Sequence, residues 1–383
     1  MPSFPRKGRD LRLDFFRGLS LFFIFIDHIP NNFLSWFTLR SIAFSDAAEV
    51  FIFISGYTAA LVYGRSLHQH GALFATAQVW RRVWQLYVAH IFLFVIFTAE
   101  VSYAMLAVNN PMYSEELRVG DFLQQPHIAI IEALLLQFQP AFLDILPLYI
   151  VLLAVFPLVL LALERGALWA LLPSAAIYAL TLHHGWGIPA YPETVWFFNP
   201  LAWQFLFVIG ASAGHARVSG RWPFPRGRWL YQLAVAVTAS IVVINLSWLA
   251  HLLYDPFPAL LAKPLYALTI DKTNLAPLRL VNFLALALAT VYFVRPESAF
   301  LQWRLVRPII LCGQQSLYVF CLGIILAVLG HFLLNEFYDD LPMQLAVNLV
   351  GFALMVGTAA LITWYRAQSQ ALQGSSIPAT PSE

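Results

Sequence analysis

Charged side chains are scarce in this chain. Only 11% of its 383 residues are Asp, Glu, Lys or Arg, where a soluble domain carries about 25%. With 60% hydrophobic residues and a mean hydropathy of +0.71, that scarcity excludes an ordinary soluble protein. Apolar runs fill nearly the whole length, so the chain reads as one membrane domain rather than the two or three soluble domains its length would allow. An excess of one charge sign is missing too: a net charge of +2 is too small to suggest nucleic acid. Cysteine is limited to Cys312 and Cys321, about 13 Å apart along a helix and beyond disulfide reach. Arg6, Lys7, Arg9 and Arg12 precede the first apolar stretch, but Asp27-His28-Ile29-Pro30 follows it where a signal peptide would carry small residues. The first segment is therefore expected to stay in the mature protein. Nothing resembles a phosphate loop or a Ser-His-Asp nucleophile elbow. His183-His184 lacks a third ligand at useful spacing, so no metal is expected. The inverted repeats of many transporters are not found.

What is present is a series of apolar segments. Ten are long enough for a hydrocarbon core of roughly 30 Å: 12–30, 46–64, 81–108, 141–164, 167–183, 199–215, 229–252, 275–295, 309–334 and 342–366. A shorter piece, His127 to Phe138, suits an interfacial or re-entrant helix. The expected fold is all-α and polytopic, with a membrane domain over 1–366 and a Ser/Gln/Pro/Ala-rich disordered tail over 367–383. Placing the N-terminus in the cytoplasm puts sixteen of the 22 basic residues inside and five outside, Arg40, Arg118, Lys263, Lys272 and Arg279, with Arg17 within the membrane. That bias predicts that both termini are cytoplasmic.

The few charges that interrupt apolar sequence crowd into the first two segments. Asp14, Arg17, Asp27 and His28 lie in the first, and Asp46 and Glu49 open the second. A charge at mid-membrane costs several kcal/mol, about 3 on insertion scales, so such residues point to function. At about 100° per residue the eleven steps from Arg17 to His28 return to one helix face, with Asp14, Leu21 and Ile24 on the same stripe. Arg17 and His28 are then about 16 Å apart along the axis. The orientation brings Asp27, His28, Asp46 and Glu49 to similar depth near the outer surface, with Arg17 deeper. Arg12, at the membrane edge, is chiefly a topology signal. For His28 the plain alternative is a histidine satisfied by a neighbouring carboxylate or carbonyl. For Arg17 it is snorkelling or pairing with Asp14.

The outer loops carry aromatic, amide and charged groups together. One holds His183-His184-Gly185-Trp186, then Trp196, Asn199, Trp203 and Gln204; another holds Lys263, Asp271-Lys272-Thr273-Asn274 and Arg279. Flat apolar faces beside hydrogen-bonding groups suit a sugar, although the tryptophans equally suit an interfacial belt. Cations on the disfavoured side point weakly to a role.

Arg17, His28 eleven residues on, and the segment from Glu49 to Ser55-Gly56-Tyr57 resemble the start of the membrane acyltransferase 3 superfamily. Within it the chain most resembles the OpgC family, which succinylates osmoregulated periplasmic glucans. The supporting stretches are Asp14-Phe15-Phe16-Arg17-Gly18, Asp144-Ile145-Leu146-Pro147-Leu148-Tyr149, Phe198-Asn199-Pro200-Leu201-Ala202-Trp203-Gln204 and Asp271-Lys272-Thr273-Asn274-Leu275. The resemblance implies a bacterial inner-membrane O-acyltransferase with acyl-CoA, succinyl-CoA first, as co-substrate and no tightly bound cofactor. It also implies catalytic use of Arg17 and His28. On that basis His28 is the expected general base and Glu49 its orienting partner. Arg17, with Asp14 and Arg12, faces the donor; Asp46, Trp203, Gln204, Lys272 and Arg279 face the glucan. The superfamily's late histidine has no counterpart here, because Ser316-Leu317-Tyr318-Val319-Phe320 is followed by Cys321, with His331 ten residues further on. Two other readings stand beside this one: acetylation of an exopolysaccharide or lipid-linked sugar, and a transporter that uses the same intramembrane charges.

Overall fold

The computed structural model describes residues 10–108, 110, 112–225, 227–253 and 271–375; Lys263 lies outside them. The helices begin with α1 (Leu11–Asp27), α2 (Leu39–Ile42), α3 (Ala47–His70), α4 (Ala72–Val108), α5 (Met112–Glu116), α6 (Gly120–Gln124), α7 (Pro126–Leu134) and α8 (Ile145–Arg165). They continue with α9 (Ala167–His184), α10 (Pro200–Ser219), α11 (Arg228–Leu253), α12 (Pro277–Phe293), α13 (Arg307–Gln314), α14 (Ser316–Glu336) and α15 (Leu341–Ser375). Among the described residues the strands are β1 (Pro189–Ala190) and β2 (Thr194–Val195), an antiparallel pair.

The protein is thus an all-α membrane protein. Six helices among the described residues, α3, α4, α8, α11, α14 and α15, are long and apolar enough to cross a membrane. Each of the ten expected spans overlaps helix, but those at α1, α9, α10 and α12 are not among the six long and apolar enough to cross, and two segments differ in extent. The segment expected as one helix over 309–334 is broken at Gln315, between α13 and α14. The last helix runs to Ser375, so residues 367–375, expected in the irregular tail, continue it; 376–383 lie outside the described residues.

Helix starts follow local side-chain chemistry. Asp10 caps α1 by accepting from the Arg12 N–H. Asp46 and Glu49 form a reciprocal capping box on α3. Asn199, followed by Pro200, caps α10. Gly71, at φ 85°, makes the turn from α3 to α4.

The chain divides into two compact units, one comprising the residues up to Phe33 together with those from Val294 on, the other Leu34–Phe293. In the first, α1 lies against α13 at Gly18 and Gly313. A Cβ on Gly18 would strike the Ile309 carbonyl, and one on Gly313 the Asp14 carbonyl. Asn32 and Asn348 exchange side-chain hydrogen bonds at 3.0 and 2.9 Å. In the second, α3 lies backbone to backbone against α10. A Cβ on Gly56, Gly210 or Gly214 would meet the carbonyl of Phe207, Phe53 or Tyr57 respectively.

Candidate active site

In the first unit, α1 carries Arg12, Asp14, Arg17 and His28. Arg12 is held at the helix start: its guanidinium pairs with Asp10 at 2.7 Å and donates to the Val294 carbonyl at 3.0 Å. Asp14 is 3% exposed and accepts from Gln314 Nε2 at 3.3 Å. Arg17 follows one turn on, half-buried, and its carbonyl accepts from the Ser20 hydroxyl. His28 is the C-cap of α1, and its Nδ1 bonds the Ile24 carbonyl at 2.5 Å. A carbonyl only accepts, so Nδ1 carries the proton of this bond. The Ile24 carbonyl of the same helix thus holds this nitrogen.

In the second unit Glu49 has other partners. It is fully buried. Its Oε1 accepts from Arg279 Nε at 2.8 Å and lies 2.6 Å from Nη2, while Oε2 accepts from the Asp46 N–H at 2.8 Å. Asp46 in turn takes Lys272 Nζ at 2.7 Å and Arg279 Nη2 at 3.3 Å on Oδ2, and the Ala48 N–H on Oδ1. Two carboxylates and two cations close on themselves. Burial alone would raise the Asp46 pKa, but Lys272 and Arg279 outweigh it and hold the carboxyl well below its usual range. Breaking such a pair strands a buried charge. The four residues expected at the outer face in this unit, Asp46, Glu49, Lys272 and Arg279, are thus brought together.

Trp203 and Gln204 lie in the second unit behind this cluster. Trp203 is buried and its Nε1 donates to the Lys272 and Thr273 carbonyls at 2.9 and 3.2 Å. Gln204 exchanges hydrogen bonds with Ser174. Asn199 donates to the Asn274 side chain, its N–H bonds the Thr273 carbonyl, and Tyr178 bonds the Leu275 carbonyl. The Asp271–Leu275 loop is therefore tied down from α9 and α10, and Lys272 leaves it to lie 5.3 Å over the Phe198 ring.

Sequence reasoning passed over several polar groups of the second unit. Asn282, one turn after Arg279 on α12, accepts from the Phe44 and Ser45 N–H groups and fixes the approach to α3. Asp144, 3.7 Å from Arg118, is raised in pKa by burial against the pull of Arg118 and Lys272. At the opposite ends of α3, α8 and α10, Glu164 bonds the Nε2 atoms of His68 and His215 at 3.0 and 2.8 Å. The i,i+3 spacing of Arg279 and Asn282 was a visible signal; the histidine–carboxylate cluster joins residues up to 96 apart and left none. Among the described residues no three His, Cys, Asp or Glu side chains are grouped to hold a metal ion.

Compared with known proteins, residues 9–367 match the family model described as OpgC protein. No curated protein and no solved structure matches the chain.

Proposed function

The chain belongs to the OpgC family, an acyltransferase family, and from that premise we propose that it moves a succinyl group from cytoplasmic acyl-CoA to a hydroxyl of a periplasmic glucan. The observation that carries the reading is the face of α1: Arg17 and, eleven residues on, a histidine whose Nδ1 is held by the Ile24 carbonyl. A thioester is already activated, so the protein needs mainly to position both substrates and remove a proton. His28 Nε2 takes the proton from the sugar hydroxyl as its oxygen attacks the thioester carbonyl carbon. The carbon–sulfur bond breaks, and the imidazolium returns the proton to the departing thiolate. The ester and free CoA are the products. Arg17, about 16 Å along the axis, binds anionic or carbonyl oxygens of the donor with its planar fork.

The two polar clusters of the second unit support an orientation across a bilayer. Glu49 and His68 are separated by nineteen residues of α3, about 28 Å along a helix, close to the thickness of a hydrocarbon core. We place the Asp46–Glu49 cluster at the periplasmic surface of a bacterial inner membrane and the His68–Glu164 cluster at the cytoplasmic one.

Mass spectrometry of periplasmic glucans from cells with and without the protein tests the reading. A succinyl increment that depends on the protein is the expected result. An acetyl increment would change the donor, and no increment on the glucan would overturn the acceptor.

A further inference from the structure

The break between α13 and α14 is the least expected feature of the first unit. At Gln315 the backbone leaves helical geometry (φ −109°, ψ 31°), and its N–H is shared between the Leu311 and Cys312 carbonyls. Apolar surroundings penalise irregular backbone unless it is buried in protein or lines a site, and discontinuous helices line binding sites in many membrane proteins. The neighbours of this break are polar. Gln314 Nε2 reaches Asp14 on α1, and the close approach of Gly18 and Gly313 sets the Asp14–Arg17 turn of α1 beside it. Gln315 Nε2 donates to Thr363 Oγ1 on α15 at 2.9 Å, which fixes the amide plane. The other end of that amide, Oε1, is buried and has no hydrogen-bond partner among the described residues, on a residue only 7% exposed.

A carbonyl oxygen held in place by its own amide nitrogen, and left without a donor, suits a ligand that supplies an N–H or O–H. Asp14 to His28 is fourteen residues of α1, about 21 Å, so a ligand met here and reacting at His28 is long and extended. The pantetheine arm of a CoA thioester is such a ligand, with amide groups along its length; the sugar hydroxyl belongs at the His28 end. We infer that the α13–α14 break is the channel for the donor's pantetheine arm, with Gln315 Oε1 accepting a hydrogen bond from one of its amide N–H groups. This rests on the acyl-CoA reading given above.

Calorimetric titration of the purified full chain in detergent tests it, with CoA and with adenosine 3′,5′-bisphosphate, the nucleotide part that lacks the arm. Gln315→Met conserves volume and removes the acceptor. It should weaken CoA about tenfold, the scale of one lost hydrogen bond, and leave the bisphosphate unchanged. Gln315→Asn, which withdraws the amide by one methylene, should shift CoA in the same direction. Thr363→Val keeps the acceptor and should cost less than either. Unchanged CoA affinity in Gln315→Met and Gln315→Asn overturns the inference alone, as does an equal loss for both probes. A wild-type protein that binds no CoA overturns the donor reading and the inference together.

Discussion

Arg17 and His28 separate experimentally because they would act on different steps. His28→Ala removes the general base, a contribution of about 10²–10⁴-fold, and acyl transfer should fall by that range with the protein level in the membrane unchanged. Residual activity within tenfold of wild type would take His28 out of the chemistry. Arg17→Lys keeps the charge and the apolar stem but loses the planar fork, so it should lose most activity through weaker CoA binding. If Arg17 only snorkels, lysine should serve as well. A third variant, Asp46→Asn, isolates one charge, because asparagine caps a helix as well as aspartate. It should destabilise by about 3 kcal/mol at pH 7, the scale of a broken buried pair. Asp46 is held below the ordinary carboxylate value of about 3.9 by Lys272 and Arg279 against burial. Its contribution is therefore present above that value and is lost as pH falls through the folded-state pKa. The gap between wild type and Asp46→Asn should persist at pH 5 and close only in stronger acid; a gap that closes by pH 6 would contradict the pairing. These residues were visible in the sequence as charges in apolar surroundings, but their partners were not. Glu49 pairs with Arg279 from 230 residues away, a distance over which no helical spacing gives a signal, whereas Ile24 lay one turn from His28 and was within reach of it.

At the scale of elements, the glycines of α3 make opposite predictions within one helix. Gly56 faces the Phe207 carbonyl so closely that a Cβ must drive α3 from α10. Gly56→Ala should cost about 1–3 kcal/mol or more, the range for overpacked cores. Gly64 has Val218 and His215 at 3.6 and 3.7 Å, ordinary contact, and Gly64→Ala gains about 0.5–1 kcal/mol of helix preference. Thermal melting in detergent should show a lower midpoint for the first variant and an equal or higher one for the second. Equal losses would mean that the α3–α10 approach is not what constrains Gly56. The capping box at Asp46 was legible because an Asp with Glu three residues on is a local pattern. The break at Gln315 was not, since neither proline nor glycine occupies it, and its polar neighbours, Asp14 and Thr363, come from helices far away in sequence.

The second unit as a whole places the starts of α3, α8, α10 and α12 at one end. Asp46 begins α3, Asp144 precedes α8, Asn199 caps α10, and all are linked to the loop and first turn that carry Lys272 and Arg279. The other ends of α3, α8 and α10 meet at His68, Glu164 and His215. Helices two, four, six and eight of an alternating ten-span chain must all start on the same side, and these four do share an end. Lys272 and Arg279, which count against the positive-inside bias, are both matched by Asp46, and Arg279 also by Glu49. As compensated charges they weigh little against the arginines of the opposite end. On the proposed topology the count of basic residues sets the orientation, which would put the α9–α10 loop outside and the C-terminus inside. Reporter fusions after Leu182 and at Glu383 should consequently report opposite compartments. The same compartment for both would overturn the ten-span count or the placement of its first five helices.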